Sequence, residues 1–218
     1  MNKTFEQALE FVLLRGDRCV DNIENLPGEE FMGINRFFHP EWIGWYVIDQ
    51  RKDNIHGTSM LALSESDRAL QNLVRNFYYE KYWKALYADT MPEQLAITMF
   101  DSAVVHGCNM AIRFMQEAMN NFIGWKKLEE DGILRKNSRD MLSKILERDE
   151  NYLKMLVFEI LRIRAEYCDE IYCSNKHGRN CYRKRISDLK TKIHNMFKKD
   201  FFLMNMEKRT AHHSGFQS

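Results

Sequence analysis

The stretch FEQALEFVLLRGDRCVDNIENLPGEEFMGI, residues 5–34, decides the fold of this chain. It opens with apolar residues at steps of three and four, the period of an amphipathic helix: Phe5, Ala8, Leu9, Val12 and Leu13. The pattern predicts a helix that ends at Arg15-Gly16. A polar loop punctuated by Pro27-Gly28 follows, and it holds five carboxylates: Asp17, Asp21, Glu24, Glu29 and Glu30. A helix that leads into an acidic loop and a tight turn is one way to present carboxyl groups to a sugar.

This stretch resembles the start of glycoside hydrolase family 108, a lysozyme-like family of N-acetylmuramidases. The family pattern, F-x-x-A-L-x-x-V-L-x-x-E-G-G-Y-V-N-D-P-x-D-x-G-G-x-T-x-x-G-I, fits without a gap. It matches Phe5, Ala8, Leu9, Val12, Leu13, Val20, Gly28, Gly33 and Ile34. The resemblance implies a mainly α, lysozyme-like helical fold with a small irregular or hairpin loop near the N-terminus. It also places Gly16 at the position of the family's catalytic Glu, so the general acid is absent from its usual position.

Later segments resemble the peptidoglycan-binding region of the same family. The family's D-x-A-V-x-x-G pattern recurs from Asp101 to Gly107, and its D-G turn recurs at Asp131-Gly132. We therefore divide the chain into a degenerate muramidase-like lobe (1–90), a helical peptidoglycan-binding-like lobe (91–187) and a basic C-terminal extension (188–218). One compact unit is expected.

Local patterns predict the further helices. Helices are expected over residues 64–87, with Ser64 as N-cap and Asp67 as its capping-box partner, and from Ser138, as N-cap, through Leu146. The almost all-round apolar segment 151–171 predicts a helix at the centre of a bundle. Residues 47–63 show few periodic signals and predict an irregular connection.

Catalysis, if it survives, needs substitute carboxylates. Asp17 neighbours the vacant acid position, Glu30 replaces a Thr across the loop, and Glu24 neighbours the position of the family's second Asp. A glycosidase needs a proton donor with a raised pKa and a second carboxyl group at a defined separation. We therefore name Glu30, with Asp17 or Glu24, as the catalytic candidates.

Five other residues are candidates for contact with a glycan. Trp42 and Trp45 lie in an aromatic-rich segment, and aromatic faces stack on sugar rings; the competing interpretation is that they are core, since aromatics bury the largest area per residue. Asp101 and Arg185 match the family pattern, and Tyr182 stands where the family has a Trp. For Asp101 a local structural hydrogen bond is the competing role, and for Arg185 it is a buried carboxylate.

The cysteines do not form a disulfide pattern, because there are five with uneven spacing. Cys168, Cys173, His177 and Cys181 form a weak candidate for a structural zinc site, because thiolates and imidazole suit tetrahedral zinc. Their spacing matches no common zinc motif, so we expect neither a metal nor another cofactor.

Composition describes an ordinary globular protein of 218 residues, with 44% hydrophobic and 29% charged residues. The net charge of +1 argues against nucleic-acid binding by the chain as a whole. Residues 174–218 nevertheless hold 11 basic and 3 acidic residues, an excess of 8. This basic segment predicts either contact with an anionic surface, which would be a cell-wall polymer, a membrane or a nucleic acid, or a solvated helix face.

No signal peptide or membrane span is recognised, so the cytoplasm is the expected location, with a holin or secretion system needed for a cell-wall target. Two function classes remain open. The first is a protein that recognises the peptidoglycan glycan strand, or a protein partner, after losing catalysis. The second is an active hydrolase that cleaves the bond between N-acetylmuramic acid and N-acetylglucosamine with the relocated carboxylates.

Overall fold

A computed structural model describes residues 2–14, 28–54, 67–122 and 128–214. These residues form eight α-helices and one hairpin. In chain order the elements are α1 (Lys3–Leu13), β1 (Glu30–Phe31), β2 (Ile34–Asn35), α2 (Gly44–Asn54), α3 (Arg68–Tyr78), α4 (Glu93–His106), α5 (Cys108–Phe122), α6 (Lys136–Leu146), α7 (Glu150–Ile171) and α8 (Lys176–Ser214). A π-helical turn (Tyr79–Trp83) and a 3-10 turn (Ala88–Thr90) join α3 to α4. The expected mainly α, lysozyme-like fold with an N-terminal hairpin is confirmed.

The first helix forms as its sequence predicts. Asn2 caps it by accepting a hydrogen bond from the Thr4 backbone N–H at 2.9 Å. One face of the helix is buried: Phe5, Ala8, Leu9, Phe11 and Val12. The ring of Phe5 meets Trp83 and Phe100 edge to face at 5.3 and 5.8 Å, so this face fixes α1 on the core.

The hairpin is short, with two residues in each strand. Glu30 pairs with Asn35 and Phe31 pairs with Ile34 in antiparallel register. The two residues between the strands, Met32 and Gly33, have φ values of 49° and 81°. Two positive φ values in succession are what the type I′ turn of a two-residue hairpin requires.

The centre of the bundle is α4, which contacts α1, α5, α7 and α8. Ten consecutive residues of α4, Gln94 to Ala103, are buried. Two buried hydroxyls on the helix are satisfied one turn back, since Thr98 donates to the Gln94 carbonyl and Ser102 to the Thr98 carbonyl, each at 2.8 Å. The segment that was expected at the centre of the bundle forms helix α7. This helix has an exposed side that includes Met155.

Helix ends differ from expectation at two places. Asp67 is the N-cap of α3, accepting from the backbone N–H groups of Ala69 and Leu70, whereas Ser64 lies outside the described residues. Ser138 does not cap α6: it is buried inside the first turn, where Gln116 donates to its hydroxyl at 3.3 Å. Tertiary contact with α5 therefore overrides the local capping preference.

The connection expected over 47–63 is partly helical, since α2 runs to Asn54. Residues 55–63 lie outside the described part. Because α4 packs on elements from both expected lobes, the division at residue 90 stays a prediction. Among the described residues no helix combines the length and the apolar character needed to cross a membrane.

Candidate functional site

A cleft of about 560 Å³ lies beside the C-terminal half of α1. Its walls are α1, α3 and the tip of the hairpin. The residues that line it are Glu6, Leu9, Glu10, Leu13, Leu14, Met32, Arg68, Gln71, Asn72, Val74 and Arg75. Leu14 is the last described residue before Gly16, so the cleft is formed by the chain that leads directly to the family's acid position.

One face of α1 lines the cleft and the adjoining face packs in the core, with the buried Leu9 at the boundary between them. Glu6, Leu9, Glu10 and Leu13 recur at helical steps of three and four, so their side chains share one side of the helix. This face alternates carboxylates with aliphatic side chains. The cleft therefore combines charge with apolar surface.

The charges that line the cleft balance each other. Glu6 accepts from Arg75 across the cleft at 2.5 Å, and both side chains are about one third exposed, which limits the stabilising effect of the pair. Glu10 and Arg68, both exposed, add one charge of each sign. The side-chain amides of Gln71 and Asn72 supply uncharged donors and acceptors. Such a lining suits a polar, uncharged ligand that also offers C–H surface, as a sugar does.

The hairpin wall of the cleft is held by α3. Tyr78 donates its hydroxyl to the Met32 carbonyl oxygen at 2.9 Å. Gly33 must be glycine here, because its φ is +81° and a Cβ would lie 2.5 Å from the Tyr78 hydroxyl. The tip thus closes on Tyr78 and leaves Met32 at the cleft.

Tyr78→Phe removes only this hydroxyl. We expect it to lower the free energy of unfolding by about 1–2 kcal/mol, because the hydrogen bond between a buried tyrosine and a backbone carbonyl is lost. Urea denaturation measures the change. Tyr46→Phe, at an exposed tyrosine of α2, is the matched control and should change stability by less than about 0.5 kcal/mol. Equal stability of the Tyr78 variant and the parent would contradict the assigned role.

Of the three catalytic candidates, the structure describes Glu30 alone. Glu30 lies half-buried on β1 and is not among the residues that line the cleft. Asp17 and Glu24, like Gly16, lie outside the described residues. Their arrangement with Glu30 therefore stays a prediction.

Trp42 and Trp45 are core residues. They are 7% and 2% exposed and pack edge to face at 5.1 Å. The indole N–H of Trp45 donates to the His39 carbonyl at 2.7 Å, and the Arg36 guanidinium lies 5.1 Å from its ring centroid. Both rings are thus buried, as the interpretation that they are core residues predicts, and a role in glycan binding stays a prediction.

Asp101 and Arg185 are also inside the protein, with 0% and 4% exposed. Arg185 donates to Asp101 Oδ1 from Nη2 at 2.6 Å and from Nε at 3.0 Å, and Arg164 donates to Oδ2 at 2.6 Å. Burial opposes ionisation of Asp101, but the two guanidinium groups outweigh it and lower its pKa to about 2. The carboxylate therefore joins α4, α7 and α8 and does not face a ligand.

Tyr182 extends this cluster and is buried as well. It stacks on Tyr172 with ring centroids 4.6 Å apart and lies 6.0 Å from the His106 ring. His106 Nε2 accepts from Arg164 Nε at 3.2 Å. Burial, assisted by the positive charge of Arg164, lowers the pKa of His106 to about 3, so the imidazole is neutral near pH 7.

The zinc candidate is not assembled. Cys168 is buried on α7, where burial raises its thiol pKa to about 11, while Cys173 and His177 are exposed around the start of α8. Cys168 Sγ lies 3.7 Å from His106 Nε2 instead. Across the part of the chain that the structure describes, no three His, Cys, Asp or Glu side chains are grouped to hold a metal ion.

Sequence reasoning missed the residues that line the cleft. The signal for Glu6 and Glu10 was present, since two carboxylates one turn apart interrupt the apolar face at Leu9 and Leu13. Gln71, Asn72 and Arg75 gave no signal, because they meet α1 only through tertiary packing.

Comparison with known proteins supports the fold and relates the N-terminal half of the chain to a family. The model of the family described as glycosyl hydrolase 108 matches residues 9–107. The structure of Brucella abortus SagA superposes with a TM-score of 0.56 at 16% identity, covering 87% of this chain and 93% of that chain. No functionally curated protein matches the sequence. The resemblance to glycoside hydrolase family 108 is thus confirmed over residues 9–107, which hold the last five residues of α1, the hairpin, α2, α3 and α4.

Proposed function

We propose that this protein recognises the glycan strand of peptidoglycan in the cleft between α1, α3 and the hairpin, and that it does not hydrolyse the strand. The observation that carries the proposal is the position of the cleft. All of its lining residues except Glu6 belong to the part of the chain that matches the family model. The cleft lies at the end of the helix that leads to the acid position, and that position is Gly16.

The chemistry of the lining supports recognition more than catalysis. The Glu6 carboxylate already accepts a hydrogen bond from Arg75, so it is occupied by a partner within the protein. The aliphatic side chains of Leu9, Leu13 and Met32 offer packing surface. Amide groups at the rim supply hydrogen bonds to hydroxyls and acetamido groups.

Binding is tested by co-sedimentation with purified, insoluble peptidoglycan. We expect the protein to pellet with it and the variant Gln71→Ala/Asn72→Ala to bind about tenfold more weakly, because two side-chain hydrogen bonds contribute roughly 1 kcal/mol each or less. Asn137→Ala/Asn151→Ala changes two exposed amides on α6 and α7 and serves as the matched control. Absence of binding by the parent protein, or equal loss in both variants, would refute the cleft as the site.

The second candidate function is peptidoglycan hydrolysis with Glu30 and either Asp17 or Glu24. It is favoured by the place of Glu30 on the strand that runs into the cleft wall at Met32. Turbidity of a peptidoglycan suspension separates the two functions. We expect no loss of turbidity from the parent protein or from Glu30→Gln; lysis by the parent that Glu30→Gln abolishes would establish the hydrolase.

A further inference from the structure

The outer side of α8 carries a row of lysines. Over Lys176–Lys199 the buried side of the helix follows the helical period: Tyr182, Ile186, Leu189, Ile193 and Phe197. Exposed lysines flank this buried side or point away from it, and we call them the basic face: Lys176, Lys184, Lys190, Lys198 and Lys199. Lys190 is at the edge of the face, with Nζ 5.7 Å from the centroid of the Phe158 ring. At 1.5 Å per residue the row is about 35 Å long.

The charge of the basic face is not neutralised within the described part of the chain. Salt bridges there engage other cations, such as Arg183 with Asp169 at 2.8 Å and Arg185 with Asp101. None of the five lysines has a carboxylate within ion-pair distance among the described residues. Asp188 is the one acidic residue in this stretch of the helix, and it is half-buried. The face therefore projects an uncompensated positive field.

The remainder of the chain has the opposite sign. The whole chain carries +1 and residues 174–218 carry an excess of 8, so residues 1–173 carry −7. A flat anionic surface can contact the basic face alone, whereas a long nucleic acid that wraps the protein would also approach the net negative remainder of the chain.

The residue types of the face also favour a surface of lipid head groups. Lysine ammonium groups act as point charges, whereas base readout and bidentate phosphate recognition rely on arginine. None of the exposed positions from Lys176 to Lys199 carries a Phe, Tyr or Trp on which a nucleobase could stack. Rows of basic residues on a helix are attracted to anionic bilayers within a Debye length of about 10 Å at 0.1 M salt.

We propose that the basic face of α8 docks this protein on an anionic phospholipid bilayer, independently of the cleft. Binding is peripheral, because the apolar side of this stretch of the helix is buried against the body of the protein.

Vesicle co-sedimentation tests the proposal, with phosphatidylcholine vesicles that contain phosphatidylglycerol and with pure phosphatidylcholine vesicles. The full chain should pellet with the anionic vesicles only, and 0.5 M NaCl should release it. Lys184→Gln/Lys198→Gln/Lys199→Gln should lower the partition coefficient on the order of a hundredfold. The matched control, Lys3→Gln/Lys136→Gln/Lys144→Gln, removes the same charge from exposed sites off α8 and should bind nearly as the parent does.

Three outcomes would overturn the proposal. The first is absence of binding to anionic vesicles, or equal binding to both vesicle types, by the parent protein with an intact helical circular dichroism spectrum. The second is an equal loss in both triple variants, which would assign the effect to net charge. The third is tighter binding to a 30-base-pair duplex DNA than to the anionic vesicles at the same salt, which would assign the face to nucleic acid.

Discussion

Asp101→Asn is expected to lower the free energy of unfolding by about 3–5 kcal/mol, the cost of breaking a buried ion pair from one side. Asp101 is fully buried and accepts hydrogen bonds from Arg164 and Arg185, which are themselves 0% and 4% exposed. Asparagine keeps the shape but removes the negative charge, so two guanidinium groups remain buried without a counter-charge. Equilibrium denaturation with urea, followed by circular dichroism, measures the loss.

The loss of stability in Asp101→Asn should be large because the buried cluster of Asp101, Arg164 and Arg185 already lacks one hydrogen bond. Arg164 Nη2 is buried and has no hydrogen-bond acceptor in the described structure. Asp140→Asn, an exposed aspartate on α6, removes the same charge and should cost less than about 0.5 kcal/mol. A loss below 1 kcal/mol for Asp101→Asn would mean that the two arginines find other partners or solvent.

Acidification is the second perturbation with a large expected effect. His106 determines how the free energy of unfolding changes in the upper part of the acid pH range. The ordinary pKa of histidine is 6.5, whereas burial and Arg164 lower that of folded His106 to about 3. Between these values the unfolded chain binds a proton that the folded chain excludes, so stability is full above pH 6.5 and falls as the pH drops towards 3. One such group changes the free energy of unfolding by up to about 1.4 kcal/mol per pH unit.

We therefore expect protonation linked to His106 to lower the free energy of unfolding by roughly 2–3 kcal/mol between pH 6.5 and pH 4.5. The titratable groups near the ring are Arg164, Tyr167 and Cys168 of α7, Tyr182 and Arg185 of α8, and Asp101 of α4. Asp101 lowers the free energy of unfolding only at more acidic pH, between about pH 4 and pH 2, because its pKa in the folded protein is about 2. The two groups are thus separated on the pH axis.

The measurement is a series of urea denaturations from pH 7.5 to pH 4.5 for the parent and for His106→Gln. Glutamine retains an acceptor for Arg164 but does not titrate, so the variant should show a flatter curve. The pKa of His39 is also lowered, by burial and by Lys81, and its contribution is common to both proteins and cancels in the difference. Parallel curves for the two proteins would show that His106 is not kept neutral by the fold.

Local sequence signals were enough for several of the helices, whereas the hairpin was expected from the family resemblance. The apolar period from Phe5 to Leu13 predicted α1, and the apolar segment 151–171 predicted α7. These features depend on neighbours within a few residues, through backbone sterics and side-chain periodicity. The resemblance to glycoside hydrolase family 108 was visible in the same residues for the same reason, since its frame of apolar and glycine positions is local.

The tertiary structure decided what each candidate side chain faces. Asp101 and Arg185 match family positions in the sequence, yet contacts across 63 to 84 residues bury both in one ionic cluster. The cleft is likewise made by α1 and α3, which are separated by more than fifty residues, so Glu6 and Arg75 meet only after folding. Burial and pairing depend on how distant elements pack, because periodicity assigns a residue to a face of its own helix but not to the neighbour that covers that face.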